Sequence, residues 1–152
     1  MTITVYTDGA SRGNPGKSGA GVLIFNEHNR PVASLHEYIG TCTNNEAEYK
    51  ALIIALEYLP KIWADKNPPD EIIFLSDSQL LVLQMNGKYS VKSPNIIPLY
   101  NKAKELLKDI AALKKFEHIP RKLNKEADKL ANMAIDGYAD IPGSSTNTLT
   151  KR

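Results

Sequence analysis

Two apolar runs that each stop at an aspartate constrain the fold of this chain more than anything else in it. Residues 3–8 read ITVYTD and residues 71–77 read EIIFLSD. The first alternates apolar and polar residues, as a half-buried strand does. The second is short and almost continuously apolar, as a buried strand is. Between them lie two more strand-like runs, AGVLIF at 20–25 and PVASLHEYI at 31–39, and then helical spacing over 44–59. A strand, a helix and a second strand in one sheet favour parallel pairing with a right-handed crossover. The two acid-terminated runs are therefore expected side by side, with Asp8 and Asp77 at the same, carboxyl end.

The remaining elements extend this frame. SRGNPGKSG at 11–19 is dense in turn residues, and Pro60 with KNPPD at 66–70 ends the first helix. DSQLLVLQM at 77–85 reads as a short helix stopped by Asn86-Gly87. Residues 95–113 read as a longer helix, with Pro94 near its start and Pro98 either in its first turn or at a kink. KKFEHI at 114–119 is a last strand and NKEADKLANMAI at 124–135 a last helix. The order βββαβααβα predicts an α/β protein: a five-stranded mixed sheet of order 3-2-1-4-5 with helices on both faces. Such a sheet changes winding direction between strands one and four, and ligands bind outside the strand ends at that point. Neighbouring strands are ~4.8 Å apart, so Asp8 and Asp77 can share one cation.

Length and charge narrow the classes of function. The 152 residues suit one domain, expected over residues 1–138. From Gly137 onward Gly, Pro, Ser, Thr and Asn dominate, and residues 139–152 are expected to form a flexible tail. The single Cys42 excludes an internal disulfide and a multi-cysteine zinc site, and suits a reducing compartment. With no apolar leader ahead of the first strand and no apolar run of membrane-spanning length, a cytoplasmic monomer without membrane contact is expected. Residues 1–85 hold six Lys and Arg against ten Asp and Glu, net −4, while residues 86–130 hold eleven against five, net +6. An acidic half beside a basic half suits a polyanion gripped by one and cut by the other.

Four acids stand out, Asp8, Asp77, Glu48 in TNNEAEYKAL and Asp128 in NKEADKLAN; three of these contexts look built to hold a carboxylate rather than merely to solvate it, while Asp128 alone would read as a dipole-stabilising surface acid. Glu46 and Glu48, two apart on a helix, face nearly opposite ways. Thr43-x-x-Glu46 matches a capping box, and Glu46 also stacks over Lys50 one turn on. Glu48 heads the row Leu52, Ala55 or Leu56, Leu59, so Glu48 is the inward acid. Asn124 suits an N-cap and Glu126 the first turn of the last helix. Asp128 follows on the turn carrying Ala127, Ala131 and Ile135 to the core. Brought together at ~5 Å and an effective dielectric of ~20, each pair of these carboxylates costs roughly 3 kcal/mol. Protonation or a cation must relieve that, and all-oxygen donors suit magnesium or manganese.

YTDGASRGNPG, TNNEAEYKAL, LSDSQ and HIPRKLNKEADKLAN, in this order and at these separations, together resemble type 1 ribonuclease H over about residues 3–136. The resemblance implies the ribonuclease H-like fold and an active site of Asp8, Glu48, Asp77 and Asp128. It also implies endonucleolytic hydrolysis of the RNA strand of RNA–DNA hybrids with two magnesium ions, for which manganese can substitute. Within it, Asp8 bridges both ions, Glu48 and Asp77 complete one, and Asp128 completes the other. Asn14, Asn44, Asn45 and Gln79 match minor-groove contacts, and Thr43 a contact to a DNA-strand phosphate.

The chain departs from the family pattern in two places. The basic, tryptophan-rich extension after the DSQ helix of some bacterial members shrinks here to NGKYSVKSPN, where Lys88, Tyr89 and Lys92 replace part of it. The histidine often found before the last helix is matched in separation by His118, but in a shorter loop at a strand end. Arg121 is its rival; it can hold a phosphate but cannot shuttle a proton at neutral pH. His28 and His36 read as ordinary turn and strand residues. Two other readings stay open: another nuclease on the same fold, and a hybrid-binding module without catalysis. The first lacks an accessory domain in its favour, and the second is hard to square with four retained carboxylates.

Overall fold

The computed structural model describes residues 1–139. Its strands are β1 (Thr2–Gly13), β2 (Gly16–Phe25), β3 (Pro31–Cys42), β4 (Glu71–Ser76) and β5 (Leu113–His118). Its helices are α1 (Asn44–Tyr58), α2 (Pro60–Trp63), α3 (Gln79–Met85), α4 (Ile97–Lys108) and α5 (Lys125–Ala139), with a single 3-10 turn at Arg121–Leu123. The strands form one sheet in the order β3-β2-β1-β4-β5. β1 is antiparallel to β2 and parallel to β4, and β4 is parallel to β5. The expected sheet order and strand directions are thus the observed ones. Of the tail expected over 139–152, Ala139 instead closes α5, and residues 140–152 lie outside the described residues.

Three of the boundaries that differ from expectation have a direct physical reason. β1 does not stop at Gly9 but runs to Gly13, and β2 begins at Gly16, so the turn shrinks to Asn14 and Pro15. Turn-forming residues here lie inside a paired hairpin, because the β1–β2 ladder continues to Gly13↔Gly16. Pro60 ends α1 but opens the short α2, where a residue lacking an N–H is harmless at the first position. The helix expected over 95–113 is Ile97–Lys108, with Pro98 in its first turn for the same reason.

Alternation assigns each strand two faces. Ile3, Val5, Val22, Ile24, Leu35, Ile72, Phe74 and Phe116 bury one face under α1 and α3, with α4 packed against α1. On the opposite face α5 lies close against β2, because the contact is built from small residues. A Cβ at Gly21 would sit 2.1 Å from Ala127 O, and one at Gly19 would sit 2.2 Å from Ala131 O. Gly9 does the same for α1, where a Cβ would meet the Ala47 carbonyl carbon at 2.2 Å. These clashes are with backbone, which cannot rotate away. Gly21→Ala is therefore expected to destabilise the fold by about 2 kcal/mol, within the range for overpacking, as read from a denaturant midpoint. An unchanged midpoint would show that α5 is free to shift.

Candidate active site

The carboxylates meet where β1 loses its parallel neighbour. The β1–β4 pairing ends at Tyr6↔Leu75, whereas β1 stays paired with β2 through Asp8↔Gly21 and beyond. Past Tyr6 the β4-side edge of β1 is open. Asp8 stands at that opening and is 4% exposed. Asp77 follows directly on the last residue of β4. The turn that carries it is held by Ser78 N donating to Ser76 Oγ at 3.0 Å and Leu81 N donating to Ser78 Oγ at 3.2 Å.

Glu48 arrives from α1, whose start is fixed by the capping box. Glu46 N donates to Thr43 Oγ1 at 3.2 Å, and Thr43 N donates to Glu46 Oε1 at 2.7 Å. Glu46 is thus occupied with the helix end. Lys50 does not answer it; its Nζ lies 3.4 Å from Cys42 Sγ. The row headed by Glu48 is the buried one, with Leu52, Ala55, Leu56 and Leu59 all inaccessible. Gly9 N, with no β4 carbonyl to meet, donates to Glu48 Oε1 at 3.0 Å. The absence of a side chain at Gly9 permits that approach.

Asp8, Glu48 and Asp77 each offer an oxygen within 4.8 Å of the others. Asp128, on α5, lies outside this trio, with its side chain near enough to Asp8 to act on its carboxyl. Burial, the charges of Glu48 and Asp77, and the nearby Asp128 push the Asp8 carboxyl up to about 10. Burial and Asp77 push Glu48 up to about 8, against the opposing pull of the Gly9 N–H and Arg121. Raised this far, the Asp8 carboxyl favours keeping its proton near neutral pH. Crowded acids with hard oxygen donors fit a divalent cation, which would replace that proton as the compensating charge.

The other expected residues fall around this centre. Asn14, Thr43, Asn44 and Asn45 line one recess of about 340 Å³ together with Ser93 and Asn95. Asn44 N donates to Asn14 Oδ1 at 2.9 Å, which leaves the Asn14 amide nitrogen free to donate outward. Gln79 is the exposed first residue of α3. Lys88, Tyr89 and Lys92 are exposed on the segment after α3, and Lys88 and Tyr89 edge a separate recess with Val91 and Tyr100. His118 ends β5 opposite Ser76 and is exposed. Arg121 is the cation whose charge is felt at Glu48.

Asn124 has a role that its sequence context concealed. At 1% exposure its Nδ2 donates to Thr7 O at 2.9 Å and to Asp77 Oδ2 at 3.4 Å, while its Oδ1 has no partner among the described residues. It therefore ties β1 to Asp77 rather than capping α5 with its side chain. An asparagine before a helix looks the same in sequence in either role. Ser93 and Asn95 carried no signal at all, since their loop meets α1 only in the folded chain.

A 3-2-1-4-5 mixed sheet with carboxylates gathered at its switch point defines the ribonuclease H-like fold class. The reverse transcriptase-like family profile matches residues 6–134. The chain is 34% identical to a ribonuclease H of Chlorobaculum parvum, covering 88% of this chain and 95% of that protein. It is 39% identical to a bifunctional protein of Mycobacterium tuberculosis over 91% of its own length, but spans only 37% of that relative. Among solved structures, LC11-RNase H1 in complex with an RNA/DNA hybrid superposes with a TM-score of 0.87 at 42% identity, covering 91% of this chain and 99% of that one. The chain belongs to the type 1 ribonuclease H family.

Proposed function

We propose that this protein is an endonuclease that hydrolyses the RNA strand of RNA–DNA hybrids, using two divalent cations, magnesium or in its place manganese. The observation that carries the reading is the meeting of Asp8, Glu48 and Asp77 within 4.8 Å at the open edge of β1. Asp8, Glu48, Asp77 and Asp128 would hold the ions. Bound there, two cations supply stabilisation to the attacking and leaving oxygens of an in-line displacement. The chain's own residues place the hybrid. The amides of Asn14, Asn44, Asn45 and Gln79 present both donors and acceptors, which is what a 2′-hydroxyl can use and a deoxyribose cannot. Thr43 Oγ1 accepts from the helix end, but its O–H still can donate to a phosphate. The hybrid-bound relative LC11-RNase H1 supports this choice of substrate. His118 and Arg121 flank the strand ends as candidates for proton transfer and phosphate binding respectively. No helix among the described residues is long and apolar enough to cross a membrane, and the lone Cys42 suits the cytoplasm.

A turnover assay with magnesium on hybrid, duplex DNA, duplex RNA and single strands tests this reading. Cleavage restricted to the RNA of the hybrid is expected. Binding without cleavage would point to a hybrid-binding module, and cleavage of DNA to another nuclease on the same fold.

The short segment 86–95 has its own test. Each neutralised phosphate contributes a slope of ~0.9 in log affinity against log salt for duplex DNA. With about two to four such contacts expected, Lys88→Ala and Lys92→Ala should each weaken hybrid binding and flatten that slope, with little change in rate at saturation. An unchanged slope in both would mean the segment does not touch nucleic acid.

A further inference from the structure

We propose that Arg12 and Asn132 are positioning residues that set the orientation of Asp128 and thereby complete the cation site. The inference rests on the hydrolase reading above and names residues that reading did not use. Asp128 is the acid whose place is least secured by the sheet. Asp8 is held within β1 and Asp77 follows directly on β4, and Glu48 is tied to Gly9 N, whereas Asp128 stands half-exposed on the first turn of α5. Something must select its rotamer.

Asp128, Asn132 and Asp136 follow one another by a turn along one face of α5. The Asn132 amide nitrogen donates to Asp128 O at 3.0 Å and to Asp128 Oδ1 at 3.3 Å. Its own Oδ1 accepts from Arg12 Nη2 at 3.1 Å, and Arg12 Nη1 meets Asp136 Oδ1 at 2.7 Å. A guanidinium only donates, and an amide has one donating and one accepting end. With Arg12 on the accepting end, the donating end must face Asp128. A rotated amide would set its oxygen against two oxygens of Asp128 and its NH2 against a cation. Arg12 therefore locks Asn132, and Asn132 holds one carboxylate oxygen of Asp128 whatever occupies the other. Arg12 reaches this place because β1 continues past Asp8 to Gly13, and Asp8 and Arg12, four apart on a strand, share a face.

The test measures the magnesium concentration for half-maximal rise of the unfolding midpoint and, separately, for half-maximal hybrid cleavage. Asn132→Ala is expected to raise both by about 10-fold, at the lower end of what loss of a ligand's supporting hydrogen bond does. Asn132→Leu, of similar size and a better helix former, should do the same and guards against a folding defect. Arg12→Gln should shift both in the same direction by less. Asp136→Asn removes the ion pair but leaves the chain from Arg12 to Asp128, and should leave magnesium dependence near that of the wild type. In an Asp128→Asn background, Asn132→Ala should add no further shift in the midpoint titration. Wild-type magnesium dependence in both Asn132 variants, or an equal shift with Asp128 already replaced, would overturn the proposal while leaving the hydrolase reading intact. A wild-type protein that neither cleaves hybrid nor responds to magnesium would overturn both.

Discussion

Asp8→Asn is expected to leave a folded protein that no longer cleaves hybrid at saturating magnesium, with turnover reduced at least ~1,000-fold, or about 4 kcal/mol of transition-state stabilisation. Its metal-free form should be more stable than the wild type at pH 8. The acids Asp8 and Glu48 are raised to about 10 and about 8 by burial and mutual repulsion. The folded chain therefore keeps protons that the unfolded chain has released, so the stability tied to these groups is full below about pH 4. It is lost progressively as pH rises towards the raised values. Asparagine has no charge to bury. It should flatten this decline and contribute about 1–3 kcal/mol at pH 8, since one pKa unit is about 1.4 kcal/mol. Magnesium should raise the unfolding midpoint of the wild type more at pH 8 than at pH 5, and that of the variant much less. Full activity in Asp8→Asn would remove it from the site, and an unaltered stability profile would mean the acids do not repel.

Two glutamates a single residue apart should respond in opposite ways. Glu48→Gln keeps an oxygen for the Gly9 N–H but removes the charge facing Asp8 and Asp77, and is expected to lose at least ~100-fold in turnover, about 2.7 kcal/mol. Glu46→Gln still closes the capping box with Thr43, and should retain most of its activity while costing at most about 1 kcal/mol of stability. Paired turnover and denaturation measurements decide this, and the reverse ranking would mean that α1 presents another face to the site.

Much of the arrangement was legible because the physics behind it is local. Alternation in ITVYTD and the apolar run EIIFLS mark strands whatever surrounds them, and an intervening helix makes their parallel pairing almost obligatory. The separation of Glu46 from Glu48 follows from helical geometry and one threonine. Asp8 and Asp77 could thus be placed at a common edge, and Glu48 on the inward face of its helix, before any contact was known.

What the tertiary structure decided depends on partners far apart in the chain. Residues 11–13 read as part of a turn, and only the ladder to β2 makes them strand, carrying Arg12 to α5. Asn124 reads as a helix cap, and only the approach of Thr7 O and Asp77 turns its amide inward. Asn132 reads as one polar residue on a helix until Arg12 fixes which end of its amide faces Asp128. Gly9, Gly19 and Gly21 read as turn or strand glycines, yet they set how closely α1 and α5 approach the sheet, and so whether four carboxylates can share one site. Backbone propensity and periodicity are properties of a few neighbouring residues and are written in the sequence itself. A buried hydrogen bond or a backbone-to-backbone approach is a property of two distant segments and exists only once they are packed together.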